Sequence, residues 1–315
     1  MELFHKMISA ALNISEKQIN NTLNLLKDGA TIPFISRYRK EVTGGLDEVQ
    51  IENIKNQYDK LCETAKRKET ILSTISEQGK LTAELQKRID DTWDTTELED
   101  IYLPYKPKRK TRAEAARQKG LEPLAVTLML QRENNLEAKV GSFVKGDVKT
   151  IEDALKGARD IIAEQVNEDE RARNAIRNQF SRQAVISAKV VKGKEEEAAK
   201  YRDYFEFSEP LKRCTSHRLL AIRRAESEGM LKVSISPDDE ECIERLERQF
   251  VRSNNECGRQ VAEAVQDAYK RLLKPSIETE FAAITKEKAE RLKSGEDIES
   301  GKKTITAKAQ MPEEF

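Results

Sequence analysis

Apolar residues recur along this chain at spacings of three and four, the period of helices with one buried face. Ser15-Glu16-Lys17-Gln18 reads as a capping box, in which the serine accepts from the third helical amide and the glutamine reaches back. The helix it opens carries Ile19, Leu23 and Leu26 on one face, and Gly29 stands where a left-handed C-terminal cap is wanted. After the turn Ala30-Thr31-Ile32, Pro33 fits the first turn of a second helix, where its missing N–H costs nothing, and Gly44-Gly45 ends that helix. Asp47 then caps a third. Ile51, Ile54, Tyr58, Leu61 and Ala65 form its seam, and Ile71, Leu72 and Ile75 extend it toward Gly79.

A further helix through Leu81, Leu85 and Ile89 leads to Trp93. Thr111 and Glu114 form a second capping box, opening a basic helix that ends near Gly120. A helical hairpin is expected from Thr150 to Val166 and from Glu168 to about Arg182, with Ile151, Leu155, Ile161 and Ile162 as its buried stripe. Residues 184–191, AVISAKVV, alternate enough for a short strand, with helix the other option. A charged helix from Glu195 to Lys200 precedes the aromatic group Tyr201, Tyr204, Phe205 and Phe207. Beyond Pro210 the pattern predicts a helix through His217, Leu220 and Ile222, a strand at 231–235, and helices at 237–250 and 256–273. Pro275 is expected to interrupt before a last helix through Ile277, Phe281 and Ile284. From about Glu290 the chain is polar and reads as disordered. The reading is a mostly α protein with helix-turn-helix-like elements and at most a few short strands, divided into 1–182, 183–288 and a tail at 289–315.

Composition agrees with long charged helices: 36% of the 315 residues are charged, 5% are aromatic, and there are only 13 Gly and 8 Pro. Lys plus Arg and Asp plus Glu both total 56, so any anion site must come from local clustering. Cys62, Cys214, Cys242 and Cys257 form no CxxC pair, which argues against a zinc site or a disulfide framework and for a reduced, cytoplasmic setting. No apolar run reaches the roughly 18 residues of a membrane span. With only His5 and His217, metal binding and general base catalysis lose their usual residue, and packing or capping is weighed ahead of catalysis for His217. HExxH, GxSxG and P-loop patterns are absent, GKEEE at 193–197 lacking the required neighbours. The expectation is a non-enzyme with no catalytic residues, cofactor, metal or small-molecule substrate.

Two clusters point instead to anion binding. Between Lys106 and Lys119 there are seven basic residues and one acid, Glu114. Lys106, Lys108, Arg109, Lys110 and Arg112 crowd together beside Pro107, a density that is repulsive unless an anion or acidic surface is near. Tyr102 and Tyr105 precede them, and a tyrosine beside cations can stack on an unpaired base. The competing reading is a solvated loop paired with Glu97, Glu99 and Asp100. Arg37, Arg39 and Lys40 form the second cluster. With Phe34, Ile35 and Tyr38 facing inward, these cations point elsewhere, either to salt bridges with Glu41 and Glu48 or to nucleic acid.

Residues 29–51 (GATIPFISRYRKEVTGGLDEVQI), 98–125 and 192–235 together resemble the bacterial Tex proteins, the RNA-binding transcription accessory proteins, and 157–177 fits as well. The match runs in order to about residue 288. The resemblance implies a helical N-terminal region related to the matching part of a eukaryotic transcription elongation factor. Tex proteins continue into a YqgF-type RNase H-like domain, helix-hairpin-helix motifs and an OB-fold RNA-binding domain, so the chain is expected to be a truncated member lacking these. Weak, salt-sensitive binding of RNA or DNA is one expected role, and a scaffold for RNA polymerase or the ribosome is the other.

Overall fold

The computed structural model describes residues 2–108, 110–133 and 135–293. They form two units divided between Pro107 and Lys108. In the first, α1 (Glu2–Leu12) was not predicted; its Ile8 is buried, and Phe4, Met7 and Leu12 pack beside it. In α2 (Glu16–Lys27) the capping box is present: Ser15 accepts from the Gln18 amide at 3.3 Å. The helix ends in a Schellman turn, Gly29 (φ 86°) and Ala30 donating to the carbonyls of Leu26 and Leu25.

The second predicted helix is two, α3 (Ile32–Tyr38) and α4 (Lys40–Thr43), broken at Arg39 (φ −128°, ψ 26°). Side chains of α2 hold the new direction. Gln18 Nε2 donates to the Thr43 carbonyl at 3.0 Å and Asn21 Nδ2 to that of Val42 at 2.8 Å, satisfying carbonyls at the end of α4.

The long third helix is α5 (Glu48–Glu77), with a complete Asp47/Gln50 capping box. Its buried side runs from Ile51 and Ile54 through Leu61, Thr64 and Lys68 to Ile71 and Ile75. It therefore serves two apolar clusters, one shared with α1–α3 and one with α6 (Ala83–Asp91) and α7 (Thr95–Tyr102). Lys68 is buried in that seam because its ammonium is doubly satisfied. It donates to the Asp90 carbonyl at 2.7 Å and sits 3.6 Å from the centroid of the Trp93 ring. Burial nevertheless lowers its pKa, against the pull of Asp90 and Asp91.

The second unit begins with α8 (Arg112–Gln118), α9 (Glu122–Leu130) and α10 (Leu136–Gly141), the last two unpredicted. The expected hairpin follows as α11 (Ile151–Glu168) and α12 (Glu170–Gln183). Ala154, Leu155, Ala158, Ile161, Ile162 and Val166 make α11 the spine on which α8 and α9 pack, but Ile151, assigned to the stripe, is exposed. Then come β1 (Val185–Val190), β2 (Glu206–Pro210), α13 (Ser216–Ser227) and β3 (Leu231–Ser236). They form an antiparallel sheet of order β2-β1-β3, with Ile186 opposite Ile235 and Ala188 opposite Val233.

The charged helix expected at 195–200 is a series of turns leading into a 3-10 turn at Ala199–Tyr204. β2 is not evident in the sequence because its two inward positions are Phe207 and Glu209, so a charged residue stands where the strand pattern calls for an apolar one, and a proline ends it. Finally α14 (Asp239–Phe250), α15 (Glu256–Ala268) and α16 (Lys274–Lys293) close the unit. Pro275 does not interrupt. A π turn at Tyr269–Leu273, with Lys274 N–H donating to the Tyr269 carbonyl, displaces the carbonyl row that the proline ring would strike, and the helix continues. Residues 289–293, expected in the tail, end α16, whereas 294–315 lie outside the described residues. The expected division at 182/183 runs through one apolar cluster that extends from Ala113 to Phe281.

Gly258 lets the turn before α15 pack against that helix. A Cβ there would lie 1.9 Å from the Ser253 carbonyl oxygen, which belongs to backbone and cannot rotate away. Gly258→Ala is expected to cost about 1–3 kcal/mol, read as a lower thermal midpoint.

Candidate nucleic-acid interface

The basic arm is built on α8 and α11. Thr111 caps α8: its hydroxyl accepts from the Glu114 amide at 3.0 Å and donates to Glu164 Oε2 at 3.1 Å. The other oxygen of Glu164 receives Lys108 Nζ and Arg117 Nη1, each at 2.7 Å. Lys108 also pairs with Glu168, one turn further along α11. The two carboxylates differ. Burial pushes Glu164 up, but the bonds from Lys108 and Arg117 outweigh it and hold the group below the usual carboxylate range. For Glu168 burial prevails over the single Lys108 bond, and its pKa is raised.

Lys108 is thus a strut that ties the arm to α11, its charge already met. The partners weighed from the sequence, Glu97, Glu99 and Asp100, are not those it uses. Glu99 instead takes a bidentate pair of bonds from Arg67, at 2.6 and 3.0 Å. Lys110 and Arg112 are exposed, and Lys110 has a left-handed backbone (φ 43°) that turns the chain into α8. Lys106, at the end of the first unit, is exposed too. Among the described residues these three form no ion pair. Arg109 lies outside the described residues.

Neither tyrosine proposed for stacking is well presented. Tyr102 is 5% exposed with the Arg67 guanidinium 5.2 Å from its ring centroid, and Tyr105 is half-buried in the second apolar cluster of the first unit. The aromatic residues in solvent are in the other basic stretch. Phe34 and Tyr38 were expected to face inward; both are exposed, and only Ile35 and Ser36 of α3 are buried. A seven-residue helix has room for one buried turn, so the wide stripe drawn from the sequence does not form. Arg37 lies 3.6 Å from Glu48 and Arg39 3.7 Å from Glu41, in solvent-exposed pairs. Such pairs are weak and easily exchanged for another anion. Lys40 is exposed and has no ion-pair partner among the described residues.

His217 is exposed in the first turn of α13, so the packing role weighed for it is not found there. Among the described residues no group of three or more His, Cys, Asp or Glu side chains is arranged to hold a metal ion, and no helix is long and apolar enough to cross a membrane.

Comparison with known proteins gives a consistent picture. The family model of the Tex-like protein N-terminal domain matches residues 2–76, and that of the Tex central region matches residues 131–293. The uncharacterized protein YdcI of Bacillus subtilis is 39% identical over 293 residues, 91% of this chain and 41% of its own length. The transcriptional accessory protein Tex of Neisseria gonorrhoeae is 42% identical over 236 residues, 74% of this chain and 31% of its own. The human S1 RNA-binding domain-containing protein 1 is 30% identical over 305 residues, 91% of this chain and 30% of its own. The chain thus spans less than half the length of these relatives.

Proposed function

Because this chain belongs to the Tex family, we propose that it is a nucleic-acid-associated module of a transcription accessory protein, binding RNA or DNA through phosphate contacts from Lys110 and Arg112, with Lys106 preceding them in sequence. Arg109 belongs to the same cluster by sequence. One observation carries the reading: Lys106, Lys110 and Arg112 are exposed and form no ion pair among the described residues, while Lys108 is committed to Glu164 and Glu168. Clustering like charges is unfavourable in water, and a polyanion is the partner that removes the repulsion. The names of two relatives, a transcriptional accessory protein and an S1 RNA-binding domain protein, agree with such a role. Contacts of this kind give affinity and little sequence preference.

Lys106→Ala/Lys110→Ala/Arg112→Ala is expected to weaken oligonucleotide binding. It is also expected to flatten the dependence of log K on log salt, by about 0.7 for each phosphate of a single strand that the variant no longer neutralises. Anisotropy titrations across a salt series measure both. No binding at about 50 mM salt, where such contacts are strong, rejects the reading. A second reading, a scaffold for RNA polymerase or the ribosome without direct nucleic-acid contact, draws on Val126 and Leu130, which are 51% and 59% exposed one turn apart on α9. It takes over if the purified chain sediments with either assembly and ignores oligonucleotides.

A further inference from the structure

Two large rings stand in solvent on the first unit. Phe34 and Tyr38, one turn apart on α3, are 42% and 67% exposed, with ring centroids 5.5 Å apart. Single exposed apolar residues are ordinary, but a contiguous aromatic pair asks for an occupant. What borders the rings decides its chemistry. The aliphatic residues of the same helix point away: Ile35 is fully buried and Ile32 packs partly against the same core. Tyr38 stands between Arg37 and Arg39 in sequence, and Lys40 follows.

The break between α3 and α4 builds this arrangement. In an unbroken helix, side chains five apart point about 140° away from each other. With the helix interrupted at Arg39, its guanidinium instead sits 5.9 Å from the Phe34 ring centroid. Lys40 opens α4 beside it. The surface is also fixed in place, since the Ser36 hydroxyl donates to Glu48 Oε1 at 3.2 Å and α2 holds α4 by its last carbonyls. A rigid aromatic surface bordered by cations suits a planar base joined to phosphates better than it suits a protein side chain, which would seek an apolar core within the contact.

We propose that the Phe34–Tyr38 face is a stacking platform for unpaired bases of single-stranded nucleic acid, with Arg39 and Lys40 meeting the flanking phosphates. This rests on the reading that the chain binds nucleic acid, and differs from it in that bases make the main contact. The platform takes any base, because every base has a π face, and it discriminates against duplex, whose bases are already stacked.

The test titrates a labelled oligouridine and an abasic strand of equal length with the wild-type chain, Phe34→Ala/Tyr38→Ala, Tyr38→Phe and the triple arm variant. Because both rings are exposed, the double variant is expected to keep the wild-type far-UV circular dichroism. Its affinity for oligouridine falls about 5- to 150-fold for each base that no longer stacks. Its salt slope stays unchanged, the abasic strand binds it as it binds wild type, and Tyr38→Phe retains affinity. Wild-type affinity in the double variant, together with weakening in the arm variant, overturns the platform and leaves the arm standing. The converse pattern upholds the platform and rejects the arm. If the wild-type chain binds no oligonucleotide while a Glu-rich amphipathic peptide binds it and loses affinity in the double variant, the face is a protein-docking site and both proposals fall.

Discussion

Glu164→Ala is expected to destabilise the second unit by about 2–3 kcal/mol, since it removes a buried carboxylate that accepts charge-assisted hydrogen bonds from two cations. Glu164 is 7% exposed and receives Lys108, Arg117 and the Thr111 hydroxyl. Its loss leaves Lys108 with Glu168 alone and Arg117 with only the longer contacts to Glu114 and Glu122, and removes a tie on the cap of α8. Chemical denaturation followed by far-UV ellipticity measures the effect. Trp93, the one tryptophan in the chain, lies in the first unit, so its fluorescence is not the appropriate probe. A shift below about 1 kcal/mol, the size of an exposed pair, would overturn the assignment of a buried network. The arm should also become a better trypsin substrate at Lys108 and Lys110.

The pH dependence separates the two acids. Glu164 is held below its ordinary value of 4.5, so its stabilisation is present above that pH and is lost as pH falls through the lower folded-state value. Glu168 is raised above 4.5, so folding favours its neutral form; that contribution is present below 4.5 and is lost as pH rises through the higher folded-state value. At pH 7 Glu168→Gln therefore costs less than Glu164→Gln, and the comparison shows which carboxylate anchors the arm.

The second large effect is expected at Phe180→Ala, about 3–5 kcal/mol, the usual cost of truncating a buried aromatic side chain. Phe180 is fully buried on α12 and meets the Phe281 ring of α16 at 5.2 Å between centroids. The truncation opens a cavity between helices that are 101 residues apart in sequence, counted between these two rings, and the denaturation midpoint records its cost. A loss under about 1 kcal/mol would mean that the neighbouring helices collapse to fill the space.

The sites differ in how far they could be read from sequence. Caps at Ser15, Asp47 and Thr111 were legible because each bond joins residues three apart. The seam of α5 was legible for a similar reason, since thirty residues give the period time to declare itself. Short helices such as α3 and α10 do not repeat a pattern long enough to fix which face is buried. For that reason the outward direction of Phe34 and Tyr38 is not legible in the sequence. The density of cations from Lys106 to Arg112 was plain, but their division was not, because Glu164 and Glu168 lie more than fifty residues downstream of Lys108.

By itself, the amino-acid sequence determined the helical character, most of the helix starts and the family resemblance, because these depend on local hydrogen bonding, regular spacing and long unbroken motifs. Only the tertiary structure decided which cations are spent and which stay in solvent, that Pro275 lies within a helix rather than ending it, and that two aromatic rings face outward. Those outcomes turn on where distant carboxylates, carbonyls and apolar surfaces meet in space. Spacing along one chain segment carries no record of them.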